Sequence, residues 1–148
     1  MRDTKLIFVE GVMGSGKSTT ANFIARQLQR NGFPARYIFE GGEGHVVRLM
    51  GDLPHPFKPW LDLTTQEYRE KSLAKWRAFV AQARHTDTVA VLDGQLFHGN
   101  MTDLLIMDTG RAGLRAYVHD IVEITRELNP VLIYFYQADL EQAMRRVF

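Results

Sequence analysis

Lys5-Leu-Ile-Phe-Val-Glu10, Gly11-Val-Met-Gly-Ser-Gly-Lys-Ser18 and Thr19-Thr-Ala-Asn-Phe-Ile-Ala-Arg-Gln-Leu-Gln-Arg30 follow one another without interruption, and that order decides the fold. The first stretch is an apolar run of strand length, as expected for a strand buried on both faces of a parallel sheet. The third places Phe23, Ile24, Gln27 and Leu28 along a helical face, and Asn31-Gly32 supplies the stop. Between them, residues 11–18 match G-x-x-x-x-G-K-[ST] at every fixed position, in the strand–loop–helix setting that this phosphate-cradling pattern requires. Gly11, Gly14 and Gly16 let the backbone turn so that amides from Met13 and Ser15 through Thr19 converge on phosphate oxygens at the positive end of the helix. Lys17 supplies an ammonium for the outer phosphates, and the Ser18 hydroxyl is placed to ligate Mg²⁺ carried by the nucleotide. The competing reading is an ordinary glycine-rich turn, against which the two flanking elements argue.

The remaining sequence repeats the alternation of strand and helix. A second strand is expected from about Arg36 to Glu40, broken by Gly41-Gly-Glu-Gly44. A short helix is expected over His45 to Met50, followed by the proline-punctuated loop from Gly51 to Pro59. Thr64 to His85 reads as a long amphipathic helix opened by a Thr64/Glu67 capping box, with Tyr68, Ser72, Trp76, Phe79, Val80 and Ala83 on its apolar side. Arg69, Lys71, Lys75, Arg77 and Arg84 occupy the other side, and the acids interspersed among them favour a solvated face over a nucleic-acid surface. Further strands are expected at Thr88 to Asp93 and Val131 to Tyr136. Helices are expected from Met101 to Met107 and Gly113 to Leu128, and Asp139 reads as the cap of one more.

Such a chain predicts one α/β domain spanning residues 1–148, with a mostly parallel sheet covered on both faces. Its 18 basic and 17 acidic residues leave a net charge of +1, which supplies no field to attract nucleic acid or a membrane surface. Cysteine is absent, which removes disulfides and thiol chemistry, and no apolar segment has transmembrane length. A cytoplasmic protein is expected.

Ligands in parallel sheets bind at the carboxyl ends of the strands, which makes the residues ending each strand the candidates. Asp93 closes the third strand where an acid can meet the nucleotide's Mg²⁺, with a turn cap at Asp93-Gly94 as the alternative. Glu40 ends the second strand beside glycines and can deprotonate or orient an acceptor hydroxyl, or, like Glu43, be a loop acid in solvent. Downstream, His45 and Arg48 can bind an anionic acceptor, although surface positions are the favoured reading. Gln95, His98 and Asn100 can hydrogen-bond an acceptor or the phosphates, and Gln137 and Asp139 follow the fourth strand.

These residues resemble the P-loop kinase group of nucleoside monophosphate, thymidylate and deoxynucleoside kinases. Residues 11–19 carry the specific match, and Leu92-Asp93-Gly94 and Phe39-Glu40-Gly41-Gly42 are similar to turns in adenylate and thymidylate kinases. The resemblance implies a three-layer P-loop NTPase fold and ATP- and Mg²⁺-dependent transfer of a γ-phosphoryl group to a small-molecule hydroxyl or phosphate. In that reading Lys17, Asp93 and Glu40 are catalytic, and Gly11, Met13, Gly14, Ser15, Gly16, Lys17, Ser18 and Thr19 hold the nucleotide. Ser18 and Asp93 hold the metal. Absence of the Arg-Glu-Pro run after the second strand, and of an arginine after Asp93, argues against thymidylate as acceptor. The group's arginine lid and fifth strand would follow Arg145, Arg146 and Phe148, so a piece of a longer protein is expected. Arg111 and Arg115 are candidate substitutes for charge neutralisation, with a solvated helix start as the better-fitting alternative. The alternative function is a nucleotide-hydrolysing switch or motor ATPase acting on a macromolecule, although no guanine-reading Asn-Lys-x-Asp run is present.

Overall fold

A computed structural model of the chain describes residues 3–41, 45–49, 52–55, 57–139, 141 and 145. Four parallel strands, β1 (Leu6–Gly11), β2 (Ala35–Ile38), β3 (Val89–Asp93) and β4 (Val131–Phe135), lie in the order β2-β3-β1-β4. Central β1 is paired with β3 in the register Leu6↔Ala90 to Val9↔Asp93, and with β4 from Ile7↔Val131 to Gly11↔Phe135. Consequently the carboxyl ends of β1 and β3 stand side by side, and Asp93 is brought next to the end of β1.

Alternation along the strands separates two cores. Ile7, Val9, Tyr37, Val89, Val91 and Phe135 face α1 (Lys17–Arg30), packing on Ala21, Ala25, Ile24 and Leu28. Leu6, Phe8, Ile38, Ala90 and Leu92 face the other way, into a cluster built with α2 (Thr65–Ala83), α3 (Asn100–Ile106) and α4 (Gly110–Thr125). A sheet between α1 on one face and three helices on the other is the layered α/β arrangement expected.

Several expected boundaries move. Phe23 is 60% exposed rather than buried. Ala21 and Ala25, four residues apart, make the face that presses on the sheet, and Phe23 projects about 200° away from Ala21 around the helix. The short helix expected at His45 to Met50 is absent over residues 45–49. His45, Val47 and Leu49 are buried while Val46 and Arg48 are only half-buried, the period of an extended segment. That segment is tied down by Lys75 Nζ, which donates to the Arg48 carbonyl at 2.7 Å. The helix expected to start at about Gly113 begins three residues earlier, at Gly110, and α4 gives way to a 3-10 turn, Arg126–Leu128, ahead of left-handed Asn129. Gly42 to Gly44, Met50, Gly51, Pro56, Arg146 and Phe148, which entered the sequence reading, lie outside the described residues.

The Thr64/Glu67 capping box forms as read, with Thr64 N–H donating to Glu67 Oε2 at 2.8 Å and Glu67 N–H to Thr64 Oγ1 at 3.3 Å. On the basic side of α2, Arg69 pairs with Asp120, Lys75 with Asp52 at 2.7 Å and Arg84 with Glu127 at 3.9 Å. These three cations are paired with neighbouring acids, two of the pairs tying α2 to α4 and the turn after it.

Candidate functional site

The loop after β1 ends in Gly16, in a left-handed conformation with φ 92°, and α1 begins at Lys17. Ser15 N–H donates to the Val12 carbonyl at 3.2 Å, which tightens the turn. Gly16, the N-cap of α1, offers no side-chain cap, and no acid stands in the first turn. The start of such a helix attracts anions. Ser15 Oγ, buried at the same turn, has no hydrogen-bond partner among the described residues.

Lys17 is only 6% exposed, and its Nζ stands 3.6 Å from Glu40 Oε1. The two chains of contact meet at Gly94. A Cβ there would sit 2.6 Å from Glu40 Oε2 and 2.8 Å from Lys17 Cε, and φ is +65°, so only glycine lets the lysine, the glutamate and the end of β3 converge. Glu40 is one third exposed, which leaves the pair open to a ligand from solvent.

Asp93 is fully buried at the end of β3. Its Oδ2 accepts a hydrogen bond from Tyr37 Oη at 3.0 Å, and its Oδ1 has no partner among the described residues. Burial, followed by the charge and hydrogen bond of Asp93 and the charge of Glu40, pushes the Tyr37 phenol up to about 12, while a hydrogen bond from Ser18 opposes the shift. Tyr37 therefore remains a protonated donor at neutral pH. The residues singled out as Lys17, Ser18, Glu40 and Asp93 thus share one neighbourhood, with Tyr37 as a member that sequence reading missed. No local sequence signal marks it: its place follows from the register Tyr37↔Val91, which sets it on the same sheet face as Asp93 two residues further on.

Glu10 was also missed, although a lone acid in an apolar strand is a signal. Completely buried, it accepts from Leu96 N–H at 2.6 Å and Phe97 N–H at 3.3 Å, and pairs with His98 at 3.5 Å. His98 is therefore engaged with Glu10, and the Gly94 to Asn100 loop is anchored to β1. Asn100 is consumed internally: its Nδ2 donates to the Val47 carbonyl and Ser72 Oγ, and its Oδ1 accepts from Tyr68. Arg111 and Arg115 are exposed on α4, and Arg145 pairs with Glu141 at 2.6 Å. Past β4, Gln137 is half-buried and Asp139 exposed.

The favoured surface positions of His45 and Arg48 are overturned. His45 is 6% exposed, and Arg48 lies half-buried with Nη1 donating to the Glu40 carbonyl at 2.9 Å. His45 Nδ1 accepts from Val47 N–H, so the neutral ring carries its proton on Nε2. Burial, then the charges of Arg48, Lys75 and Arg36, lower the imidazole to about 4. Because the unfolded chain binds the extra proton first, stability is expected to be lost as pH falls from about 6.5 to about 4, by about 3 kcal/mol. Urea unfolding across that range checks it, and His45→Gln should flatten the dependence.

Among the described residues, no helix is long and apolar enough to cross a membrane, and no group of three or more His, Cys, Asp or Glu is arranged to hold a metal ion. No protein-family model matches the chain, and no curated protein matches it. The fold is similar to that of a solved structure described as "Crystal structure of APE1195", at a TM-score of 0.50 and 20% identity, over 99% of this chain and 70% of that one.

Proposed function

We propose that the chain is an ATP- and Mg²⁺-dependent phosphotransferase of P-loop NTPase architecture, acting in the cytoplasm on a small molecule. One observation carries the reading: a buried lysine at the start of α1, paired with Glu40 and standing beside the end of β3, where one oxygen of Asp93 has no partner among the described residues. The donor set fits the ligands. Loop amides and Lys17 suit a polyphosphate, and the Ser18 hydroxyl with the free Asp93 oxygen suits a hard cation brought by the nucleotide. When bound, Mg²⁺ supplies neutralisation of the charge on the outer phosphates.

This chain's own contribution is positioning and electrostatics. Lys17 steadies the charge on the transferring group. Glu40 accepts the proton of the acceptor hydroxyl as its oxygen bonds to the γ-phosphorus, while the bridging P–O bond breaks and its electron pair leaves with the diphosphate. On the acceptor side, Arg48 Nε and Gln95 Oε1 are buried with no hydrogen-bond partner among the described residues, and both border Gly99, where a missing Cβ leaves them 3.0 and 3.4 Å from its position. A small polar acceptor gives these two atoms the donor and acceptor they lack.

Consumption of ATP with Mg²⁺ should accordingly rise when hydroxyl-bearing small molecules are supplied, with stoichiometric appearance of their phosphate esters by mass spectrometry. Stimulation by protein or nucleic acid alone, with no phosphorylated small product, would instead establish the motor or switch alternative.

A further inference from the structure

Glu40, the acid that the proposed function makes the proton acceptor, lies two residues past the last pair of the β2 ladder, Ile38↔Leu92. Something other than the sheet has to hold it. Its carboxylate meets Lys17 at 3.6 Å, and its carbonyl accepts from Arg48 Nη1 at 2.9 Å. Arg48 in turn has its own carbonyl held by Lys75 Nζ of α2 at 2.7 Å. Two successive hydrogen bonds therefore join a helix on the far face of the sheet to the backbone of Glu40.

Lys75 is suited to be the root of that strut. An ammonium carries three donors, and three acceptors from one stretch of chain surround it: the Arg48 carbonyl, the Asp52 carboxylate at 2.7 Å and the His45 carbonyl at 3.4 Å. Residues 45–49 belong to no helix or strand, so their carbonyls depend on donors from elsewhere. Asn100, the first residue of α3, serves the Val47 carbonyl at 2.7 Å. Beside it, Gly99 lets the Arg48 guanidinium lie close, since a Cβ there would come within 3.0 Å of Nε.

We propose that Lys75 is a positioning residue for Glu40, acting through Arg48: it fixes the Arg48 backbone, and the guanidinium then fixes the peptide that carries the glutamate. The inference rests on the phosphotransferase reading and adds to it a residue that touches neither Glu40 nor the glycine loop.

Water is the smallest hydroxyl that Glu40 can deprotonate, so hydrolysis of Mg²⁺-ATP reads the placement of the glutamate. Lys75→Met is expected to lower that rate by about ten- to a hundredfold, the scale of a misplacement of roughly 1 Å. Lys75→Arg, which keeps charge and donors, should recover most of it. Binding of ATP in excess EDTA, measured by calorimetry, should not weaken, because Lys17 and the loop amides are untouched. In a Glu40→Gln background, Lys75→Met should change the rate by less than about twofold, since the group it positions is already gone. A merely structural lysine would cost the same factor with or without Glu40. Hydrogen exchange should quicken in Lys75→Met at residues 39–41 as well as at 45–49. An undiminished rate in Lys75→Met, its full loss repeated in the Glu40→Gln background, a parallel loss of ATP affinity, or quickened exchange confined to 45–49 would each overturn the proposal. Should Lys75→Met not fold, Arg48→Met takes its place in the same measurements, with the same outcomes. Wild-type protein that binds no ATP would overturn the phosphotransferase reading itself; protein that binds it and hydrolyses none would remove Glu40 as proton acceptor, and the role of Lys75 with it.

Discussion

Lys17→Ala is expected to lower phosphoryl transfer by a hundred- to thousandfold or more, on the order of the effect of removing a single preorganised charge-stabilising donor. The fold should survive. Lys17 contributes its ammonium to Glu40 at 3.6 Å, and Glu40 is exposed enough to be rehydrated when its partner is removed. The backbone of α1 is held elsewhere, by Ala21 and Ala25 against Val9 and Val91. Circular dichroism and the unfolding midpoint should therefore stay close to wild type while turnover collapses. Normal turnover in the purified variant would remove the lysine from the mechanism, and with it the assignment of the loop.

Trp76→Ala is expected to be the most damaging core substitution, costing about 3–5 kcal/mol. Trp76 is fully buried where α2 crosses the sheet, with ring centroids 5.9 Å from Phe8 and 6.2 Å from Phe79, the latter edge-on at 83°. Removing it leaves Phe8 of β1 and Phe79 of α2 facing a cavity. Against a total stability of about 5–15 kcal/mol this is a large fraction, and the melting temperature should fall by roughly 10 °C or more. The indole Nε1 has no partner among the described residues, so Trp76→Phe discards no hydrogen bond and should cost clearly less than alanine. Urea denaturation separates the outcomes, since a shifted midpoint at constant slope reports stability alone. A wild-type midpoint in Trp76→Ala would contradict the packing described.

How much of this was legible in the sequence follows from how local each signal is. β1, the glycine loop and α1 are contiguous, so their residue types and spacing suffice, and the Thr64/Glu67 box announces α2 for the same reason. Burial of Asp93 beside the end of β1 follows once β3 is placed next to β1, which the strand-end rule anticipates. What escaped the sequence depends on registers between distant segments. Tyr37 joins the site because β2 pairs with β3 at Tyr37↔Val91, information that no stretch of β2 contains. Glu10 looked like a strand end, yet it serves amides 86 and 87 residues away. His45 and Arg48 follow a glycine-rich break and read as surface, and only the packing of that segment under α2 buries them. Phe23 failed for the opposite reason: helical spacing marks a face, while the two alanines decided which face could approach the sheet closely.

The central claim is that the head of α1, with Lys17, grips a polyphosphate. Isothermal titration of the purified protein with Mg²⁺-ATP tests it most directly. Saturable, roughly one-to-one binding that Lys17→Ala abolishes is the result expected; no binding at millimolar nucleotide, or equal binding by Lys17→Ala, would contradict it.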